Sequence, residues 1–239
     1  MVNTAVIMAA GLGTRFGKYT ERIPKGFIKC GDKSMVERSI DTLIDCGITR
    51  IIIGTGYHKE MYENLGDNYP QVECVFSPRY AETNSMYTLY NCREVIGDDD
   101  FLLLESDLVF EKKAITALLD CPEADVMLIT PVTKFQDQYY VEYGRGHRLT
   151  NCSTDETQLD AKGELVGIHK LSSQFYHLMC NDYAGKIDSM PKLGYECQLL
   201  TMSKDIRNVY VLKVDGLKWY EIDDPDDLDY AEKNILKYL

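Results

Sequence analysis

Apolar and polar positions alternate along the first half of the chain in a way that predicts strands and helices in turn. Short apolar runs at residues 5–10, 50–54, 72–76 and 101–105 are typical of buried strands. Between them, Ser34 and Glu37 predict a capping box that opens a helix ending near Gly47, and residues 85–95 predict a second helix. This alternation indicates βαβ units and a parallel sheet.

The second half has a different pattern, with shorter apolar runs separated by polar turns. Residues 126–132, 139–143 and 165–168 predict strands of a small antiparallel extension over the active face. Helices are predicted at 172–184 and 190–203, strands at 209–214 and 219–222, and a last helix after Asp224-Pro225. We therefore expect one α/β domain over residues 1–239, with a three-layer α/β/α, Rossmann-like architecture and a mixed, mostly parallel central sheet.

A glycine-rich turn follows the first predicted strand. Glycines at positions 11 and 13 allow a sharp turn whose amide groups can cradle a phosphate, and Arg15 and Lys25 add two cations that suit a polyphosphate. A dinucleotide fingerprint would need glycine at position 16, where the chain has Phe16. A P-loop would need glycine at position 12, where it has Leu12. The turn therefore indicates a polyphosphate site of another kind.

Charge and composition narrow the classes of ligand. The formal net charge of −12 argues against a nucleic-acid or anionic-membrane surface and favours small anionic ligands held by local cations and metal. No apolar run reaches the roughly 18 residues needed to span a bilayer, and the N-terminus lacks the pattern of a signal peptide. We expect a cytoplasmic protein without nucleic-acid or membrane partners.

Two aspartates are the candidate metal ligands. Asp107 follows a buried strand at the edge where parallel sheets bind ligands, so its carboxylate could face a ligand together with the glycine turn. Asp223 is its expected partner for Mg²⁺, and Glu221 is a weaker candidate that alternation turns to the same side. In the alternative interpretation both aspartates only cap helices, and Asp224 fits that role best.

The motif Ala-Ala-Gly-x-Gly-Thr-Arg-Phe, followed by Pro24-Lys25, resembles the signature of nucleotidyltransferases that make sugar nucleotides and CDP- or CMP-linked alcohols. With residues 76–80, 83–90 and 220–223, the chain is similar over nearly its whole length to CTP:phosphocholine and 2-aminoethylphosphonate cytidylyltransferases. The resemblance implies the nucleotidyltransferase fold, an NTP wrapped by the glycine turn, and Mg²⁺ on Asp107 and Asp223. The nucleotide-binding residues that it implies are Ala9, Ala10, Gly11, Gly13, Thr14, Arg15, Lys25, Asn84 and Ser85.

The acceptor is expected in the second half of the chain. Lys170 follows a strand predicted to end at the active face, where it would bind a phosphonate or phosphate, although most lysines are simply solvated. The alternation of side chains along a strand points His169 away from Lys170. The residues expected around the acceptor's positive end are Tyr139, Tyr140, Tyr195 and Glu196, although the tyrosines could equally be packing residues.

Together these features predict a Mg²⁺-dependent cytidylyltransferase with Arg15, Lys25 and Lys170 as its catalytic residues. It would join CTP to 2-aminoethylphosphonate and release pyrophosphate, with phosphocholine and then a sugar 1-phosphate as alternative acceptors. Residues 1–110 would bind the NTP, and residues 111–239 would bind the acceptor and supply the second metal ligand. A homodimer or a fusion to another enzyme domain would be compatible with this interpretation.

Overall fold

A computed structural model describes residues 2–133 and 138–239. Its strands are β1 (Thr4–Ala9), β2 (Lys29–Cys30), β3 (Lys33–Ser34), β4 (Arg50–Thr55), β5 (Val72–Phe76), β6 (Phe101–Glu105), β7 (Leu108–Phe110), β8 (Val126–Thr130), β9 (Tyr140–Tyr143), β10 (Leu149–Ser153), β11 (Gly163–Leu171), β12 (Tyr210–Lys213) and β13 (Trp219–Glu221). Its α-helices are α1 (Met35–Asp45), α2 (Lys59–Glu63), α3 (Ser85–Asn91), α4 (Arg93–Ile96), α5 (Lys113–Asp120), α6 (Ser173–Ala184), α7 (Tyr195–Asp205) and α8 (Pro225–Asn234).

The central sheet is mixed. Its strands run in the order β10-β9-β11-β6-β1-β4-β5, and β8 pairs with β11 and β12. Strands β6, β1, β4 and β5 are mutually parallel, whereas β11 runs antiparallel to β6, β8 and β9. The predicted antiparallel part is therefore continuous with the parallel sheet, and the predicted fold class is confirmed.

Helices cover both faces of this sheet because the strands alternate their apolar side chains between two cores. Val6 and Met8 of β1 pack with residues of α3, α6 and α7 on one face. Ala5 and Ile7 pack with residues of α1 and α5 on the other. A strand that is buried on both sides is the signature of a three-layer arrangement. No helix in the described ranges is long and apolar enough to cross a membrane.

Several predicted elements differ in extent from the observed ones. The helix predicted at 85–95 is interrupted at Cys92 between α3 and α4. The helix predicted at 190–203 begins only at Tyr195, after Pro191 and an extended Gly194. Strand β11 is much longer than residues 165–168, and β10 and α5 were not predicted. The Ser34–Glu37 capping box is present at the start of α1.

A small second sheet brings the end of the chain to the edge of the first. Strands β13 and β7 pair antiparallel, with Glu221 opposite Leu108. The backbone N–H of Ile222 continues this ladder by donating to the Asp107 carbonyl at 3.0 Å. Beneath it, Ile222 joins Phe16, Val109 and residues of α8 in a third apolar cluster. Residues 221–223 are thereby placed beside the carboxyl end of β6.

Candidate active site

The glycine turn after β1 is held in place by contacts with Thr20, Lys25 and Phe16. Gly13 has the left-handed conformation (φ +62°), and a Cβ there would lie 3.1 Å from atoms of both Lys25 and Thr20. The Thr20 hydroxyl donates to the Gly13 carbonyl at 2.9 Å, and Phe16 is buried in the third apolar cluster. Glycine at position 13 thus permits both the turn and the close approach of Lys25.

A cavity of about 390 Å³ opens at the carboxyl ends of β1 and β6, within the range of small-molecule sites. Of the predicted nucleotide-binding residues, the cavity is lined by Ala9, Ala10, Gly11, Gly13, Arg15, Lys25, Asn84 and Ser85. Thr14 is not among its lining residues and instead opens the 3₁₀ turn Thr14–Thr20. Further lining residues, which were not among the predicted site residues, include Tyr62, Tyr80, Thr83, Thr88, Ser106 and Gly167.

Lys25 lies between the two predicted metal ligands. Its ammonium is 2.6 Å from Asp107 Oδ2 and 2.5 Å from Asp223 Oδ1, and Arg15 donates to the same Asp223 oxygen at 2.8 Å. Burial lowers the pKa of Lys25, but the two carboxylates outweigh burial and the net shift of this pKa is upward. The structure therefore brings together Arg15, Lys25, Asp107 and Asp223, the residues that the sequence linked most directly to the nucleotide's phosphates and the metal.

Three carboxylates form a second group that shares Asp107. One oxygen from each of Glu105, Asp107 and Glu221 lies within 4.8 Å of the others. Asp107 Oδ1 is buried and has no hydrogen-bond partner among the described residues. Carboxylate oxygens are the ligands that Mg²⁺ prefers. Three carboxylates this close together repel one another, and a cation between them relieves that repulsion. The residues present therefore fit a divalent metal ion.

Glu105 is a charged residue of the site that was not among the predicted ones. It ends β6 and lies two positions before Asp107, so the period-two geometry of a strand places both side chains toward the same face. Burial and the nearby carboxylates of Glu221 and Asp107 raise the pKa of Glu105 well above its ordinary value. The spacing Glu-x-Asp at a strand's carboxyl end was the signal that could have identified it.

Gly167 lies directly against the Glu105 carboxylate. It has φ +77° at a register shift in β11, and a Cβ there would lie 2.8 Å from Glu105 Oε2. Backbone approach of this kind leaves no room for a side chain.

We expect Gly167→Ala to lower the free energy of unfolding by about 2–3 kcal/mol, because left-handed strain and displacement of Glu105 add together. The matched control is Gly216→Ala, where φ is +70° but no atom lies within 4 Å, and which should lose only about 1 kcal/mol. Urea denaturation of both variants measures the difference. Equal losses would show that Gly167 does not constrain Glu105.

The far wall of the cavity carries three of the predicted acceptor residues. Tyr139, Tyr195 and Glu196 all line it. Burial raises the pKa of Glu196 to about 7, and its carboxyl hydrogen-bonds to that of Glu105. Two carboxyl groups can share a hydrogen bond only if one of them carries a proton. The Glu105–Glu196 pair therefore has less negative charge than two ionised carboxylates would have.

Tyr195 connects this wall to the rest of the site. Its hydroxyl donates to Glu105 Oε1 at 2.6 Å, and its backbone N–H donates to the Ser85 hydroxyl at 3.0 Å. The Nε2 atom of His169 lies 3.3 Å from the same Tyr195 hydroxyl. Burial lowers the pKa of His169 to about 3, so this ring is neutral. These contacts orient Glu105 toward the cavity.

Two predicted acceptor residues lie elsewhere. Lys170 donates to the Cys121 carbonyl at 2.5 Å and pairs with Leu102 at the start of β6. It lies there because β11 runs antiparallel to β6, so that the carboxyl end of β11 reaches the opposite edge of the sheet. The structure therefore does not bring Lys170 to the cavity, where the acceptor was expected. Tyr140 is buried outside the cavity, because its side chain alternates with that of Tyr139. Tyr140 is therefore likewise not brought to the expected acceptor wall.

Comparisons with known proteins agree with this geometry. The sequence pattern of the MobA-like NTP transferase domain matches residues 5–171. The choline-phosphate cytidylyltransferase of Streptococcus pneumoniae is 30% identical over 243 residues, which cover 98% of each chain. The 2-aminoethylphosphonate cytidylyltransferase of Lancefieldella rimae is 36% identical over 111 residues, 46% of this chain and 45% of that one. A solved structure of CTP:phosphocholine cytidylyltransferase from Streptococcus pneumoniae superimposes with a TM-score of 0.82 at 25% identity, covering 97% of this chain and 99% of that chain.

Proposed function

The chain belongs to the family of MobA-like NTP transferase domains and is a nucleotidyltransferase with cytidylyltransferase homologues, and from that premise we propose that it transfers a cytidylyl group from CTP to 2-aminoethylphosphonate. The observation that carries the proposal is the cavity itself. It joins a phosphate-binding turn with its two cations, a group of metal-compatible carboxylates, and a buried carboxyl pair beside two tyrosines. The turn and its cations fit the triphosphate of CTP, the group of carboxylates fits the metal ion, and the carboxyl pair fits the amino group of the acceptor.

The triphosphate would lie along the glycine turn. Backbone amides at residues 10–13 offer hydrogen bonds to phosphate oxygens, and Lys25 and Arg15 offer positive charge. Both cations already contact Asp223, so they are held at the cavity edge before any substrate arrives. Such preorganised charge stabilises the charge that develops on the pyrophosphate leaving group.

Asp107 and Asp223 would hold Mg²⁺, and Glu105 and Glu221 lie close enough to orient its ligands. When bound, the metal neutralises phosphate oxygens and polarises the reacting phosphorus centre. The partnerless Oδ1 atom of Asp107 supports this assignment.

The chemistry needs positioning more than proton transfer. A phosphonate oxygen would attack the α-phosphorus in line, forming a new P–O bond while the bond to the β-phosphate breaks. That oxygen is already anionic at neutral pH, so no general base is required.

The acceptor's amino group would bind at the Glu105–Glu196 pair. A primary ammonium donates three hydrogen bonds, for which these carboxyl oxygens and the Tyr139 hydroxyl are suitable acceptors. A quaternary ammonium donates none and requires an aromatic cage. The only tryptophan, Trp219, is buried with its Nε1 donating to Thr130 and does not line the cavity. The wall therefore favours an amine over a trimethylammonium group.

Substitution of Glu196 tests this assignment. We expect Glu196→Gln to lower kcat/KM for 2-aminoethylphosphonate by roughly 10- to 100-fold, the value of one charge-assisted hydrogen bond, and to change kcat/KM for phosphocholine by less than about 3-fold. Pyrophosphate release measures both rates. The control is Glu94→Gln, whose side chain is 81% exposed. A similar fall for both acceptors would show that Glu196 does not recognise the amine.

Phosphocholine is the second candidate acceptor, because one relative that matches over nearly the full length is a choline-phosphate cytidylyltransferase. The wild-type protein decides between them. Faster pyrophosphate release with phosphocholine than with 2-aminoethylphosphonate would overturn the acceptor while leaving the nucleotidyl transfer intact. Faster release with glucose 1-phosphate would overturn both zwitterionic acceptors.

A further inference from the structure

A short segment after β4 contacts the nucleotide loop, residues 10–23, at both of its ends. This segment, Gly56-Tyr57-His58, is called the brace below. The Tyr57 backbone N–H donates to the Ala10 carbonyl at 3.4 Å, and the Tyr57 hydroxyl donates to the Glu21 carbonyl at 3.3 Å. His58 Nε2 lies 3.4 Å from the same Glu21 oxygen. The loop between these anchors is mostly exposed, so its position depends on what holds its ends.

His58 has a backbone conformation that a residue with a Cβ rarely adopts. Its φ is +50° and its ψ is +44°, in the left-handed region, directly before α2. Such strain persists where surrounding contacts hold it, and it concentrates at functional sites. Here the Nδ1 atom faces Glu60 Oε1 at 3.1 Å, and the ring packs on Tyr57 with 4.1 Å between centroids. The imidazole is thereby held between α2 and the loop.

Glycine at position 56 allows the brace to pack closely against Ala10 and Tyr80. A Cβ at position 56 would lie 2.5 Å from the Ala10 carbonyl oxygen and 2.7 Å from the Tyr80 side chain. Both Ala10 and Tyr80 line the cavity. The backbone of the brace therefore packs directly against the wall on which the nucleotide would lie.

From these contacts we propose that the brace is a positioning element, and that His58 holds the loop so that Arg15 and the turn amides meet the nucleotide's phosphates. The inference rests on the proposed function in its use of CTP as the ligand of this loop. His58 does not line the cavity, so it acts through Glu21 and the loop rather than on the substrate. Its removal should weaken nucleotide binding and leave acceptor binding unchanged, because the acceptor wall belongs to other elements.

Three substitutions at position 58 separate the roles of ring and backbone. His58→Gly keeps the left-handed backbone without strain but loses the ring. His58→Gln keeps a Cβ in the left-handed backbone and places a side-chain amide where Nε2 lies, from which it can donate to Glu21. His58→Ala loses both. The matched control is His147→Gly, because His147 is also left-handed (φ +57°) and exposed but lies outside the cavity.

Two measurements on the whole protein test the brace. We expect His58→Gly to raise the KM for CTP by roughly 3- to 10-fold, as for the loss of one or two ordinary hydrogen bonds, with kcat and the acceptor KM within about 2-fold of wild type. His58→Gln should recover most of this loss, and His147→Gly should show none. Without ligands, amide hydrogen exchange in residues 10–23 should be faster in His58→Gly than in wild type or His147→Gly.

The outcomes distinguish failure of the brace from failure of the proposed function. Unchanged exchange in residues 10–23 and an unchanged KM for CTP in His58→Gly, with an active wild type, would overturn the brace. A wild type that releases no pyrophosphate from CTP would overturn the proposed function, and the exchange measurement would still decide whether His58 holds the loop. A lower unfolding temperature with normal exchange and normal KM would assign His58 a structural role only.

Discussion

Asp107→Asn is expected to lower Mg²⁺-dependent turnover by about 10³-fold or more, the scale of losing a principal contact to a catalytic charge. Asp107 contacts Lys25 and belongs to the group with Glu105 and Glu221, so it links the phosphate-binding cation to the metal-compatible carboxylates. Asparagine has the same shape but no charge. Lys25 keeps Asp223 as a partner in the variant, and repulsion from Glu105 and Glu221 is relieved, so the unfolding temperature should change little.

Pyrophosphate release over a Mg²⁺ titration, with a thermal melt of the same sample, measures this expectation. The control is Asp98→Asn, because the Asp98 side chain is 96% exposed and lies outside the cavity. Asp107→Asn with near-normal turnover would remove Asp107 from the site. Lost turnover together with a collapsed melting temperature would mean that Asp107 is needed for folding instead.

Lys25→Met is expected to affect both activity and stability. Turnover should fall by about 10²- to 10³-fold, because a preorganised cation at the triphosphate is lost. In EDTA, the free energy of unfolding should fall by about 3 kcal/mol, because the half-buried Asp107 carboxylate and the buried Asp223 carboxylate lose their shared partner. Mg²⁺ should restore much of this stability by taking the place of the ammonium, so its stabilising effect should be larger in the variant than in wild type.

Thermal melts of wild type and Lys25→Met, each with EDTA and with Mg²⁺, measure that difference. Lys33→Met is the control, because Lys33 pairs with Asp41 at an exposed position. An Mg²⁺ effect of the same size in both proteins would contradict the view that ammonium and metal compete for the same carboxylates. In wild type, the raised pKa of Lys25 means that its stabilising contribution is complete below the unfolded-state pKa near 10.4 and is lost only as the pH rises through the higher folded-state pKa.

The parts of the site that could be predicted from sequence depend on local geometry. A buried strand followed by a glycine turn, and another followed by Asp107, place both at the carboxyl edge of a parallel sheet whatever else the chain does. Asp223 reaches that edge only through the pairing of β13 with β7, more than one hundred residues apart, and the family motif rather than any local pattern indicated it. Glu105 was within reach of the same local reasoning that identified Asp107.

Two predicted acceptor residues lie away from the cavity because of strand direction and side-chain orientation, neither of which the sequence determines. The apolar run around residues 165–168 indicates a strand but not whether it runs parallel or antiparallel to β6. Its antiparallel direction moves Lys170 to the far edge and brings Gly167 against Glu105 instead. Tyr139 and Tyr140 are the same residue type, and only the alternation of side chains at the start of β9 puts Tyr139, and not Tyr140, at the cavity. The left-handed backbone of His58 has no sequence signal, since glycine or asparagine would be expected there.

The most direct test of the central claim is pyrophosphate release from CTP, ATP, GTP and UTP in turn, each with 2-aminoethylphosphonate, in Mg²⁺ and in EDTA. We predict rapid release with CTP in Mg²⁺, much slower release with the other nucleotides, and none in EDTA. Release that is fastest with another nucleotide, or that persists in EDTA, or that is absent with every nucleotide, would contradict a Mg²⁺-dependent cytidylyltransferase.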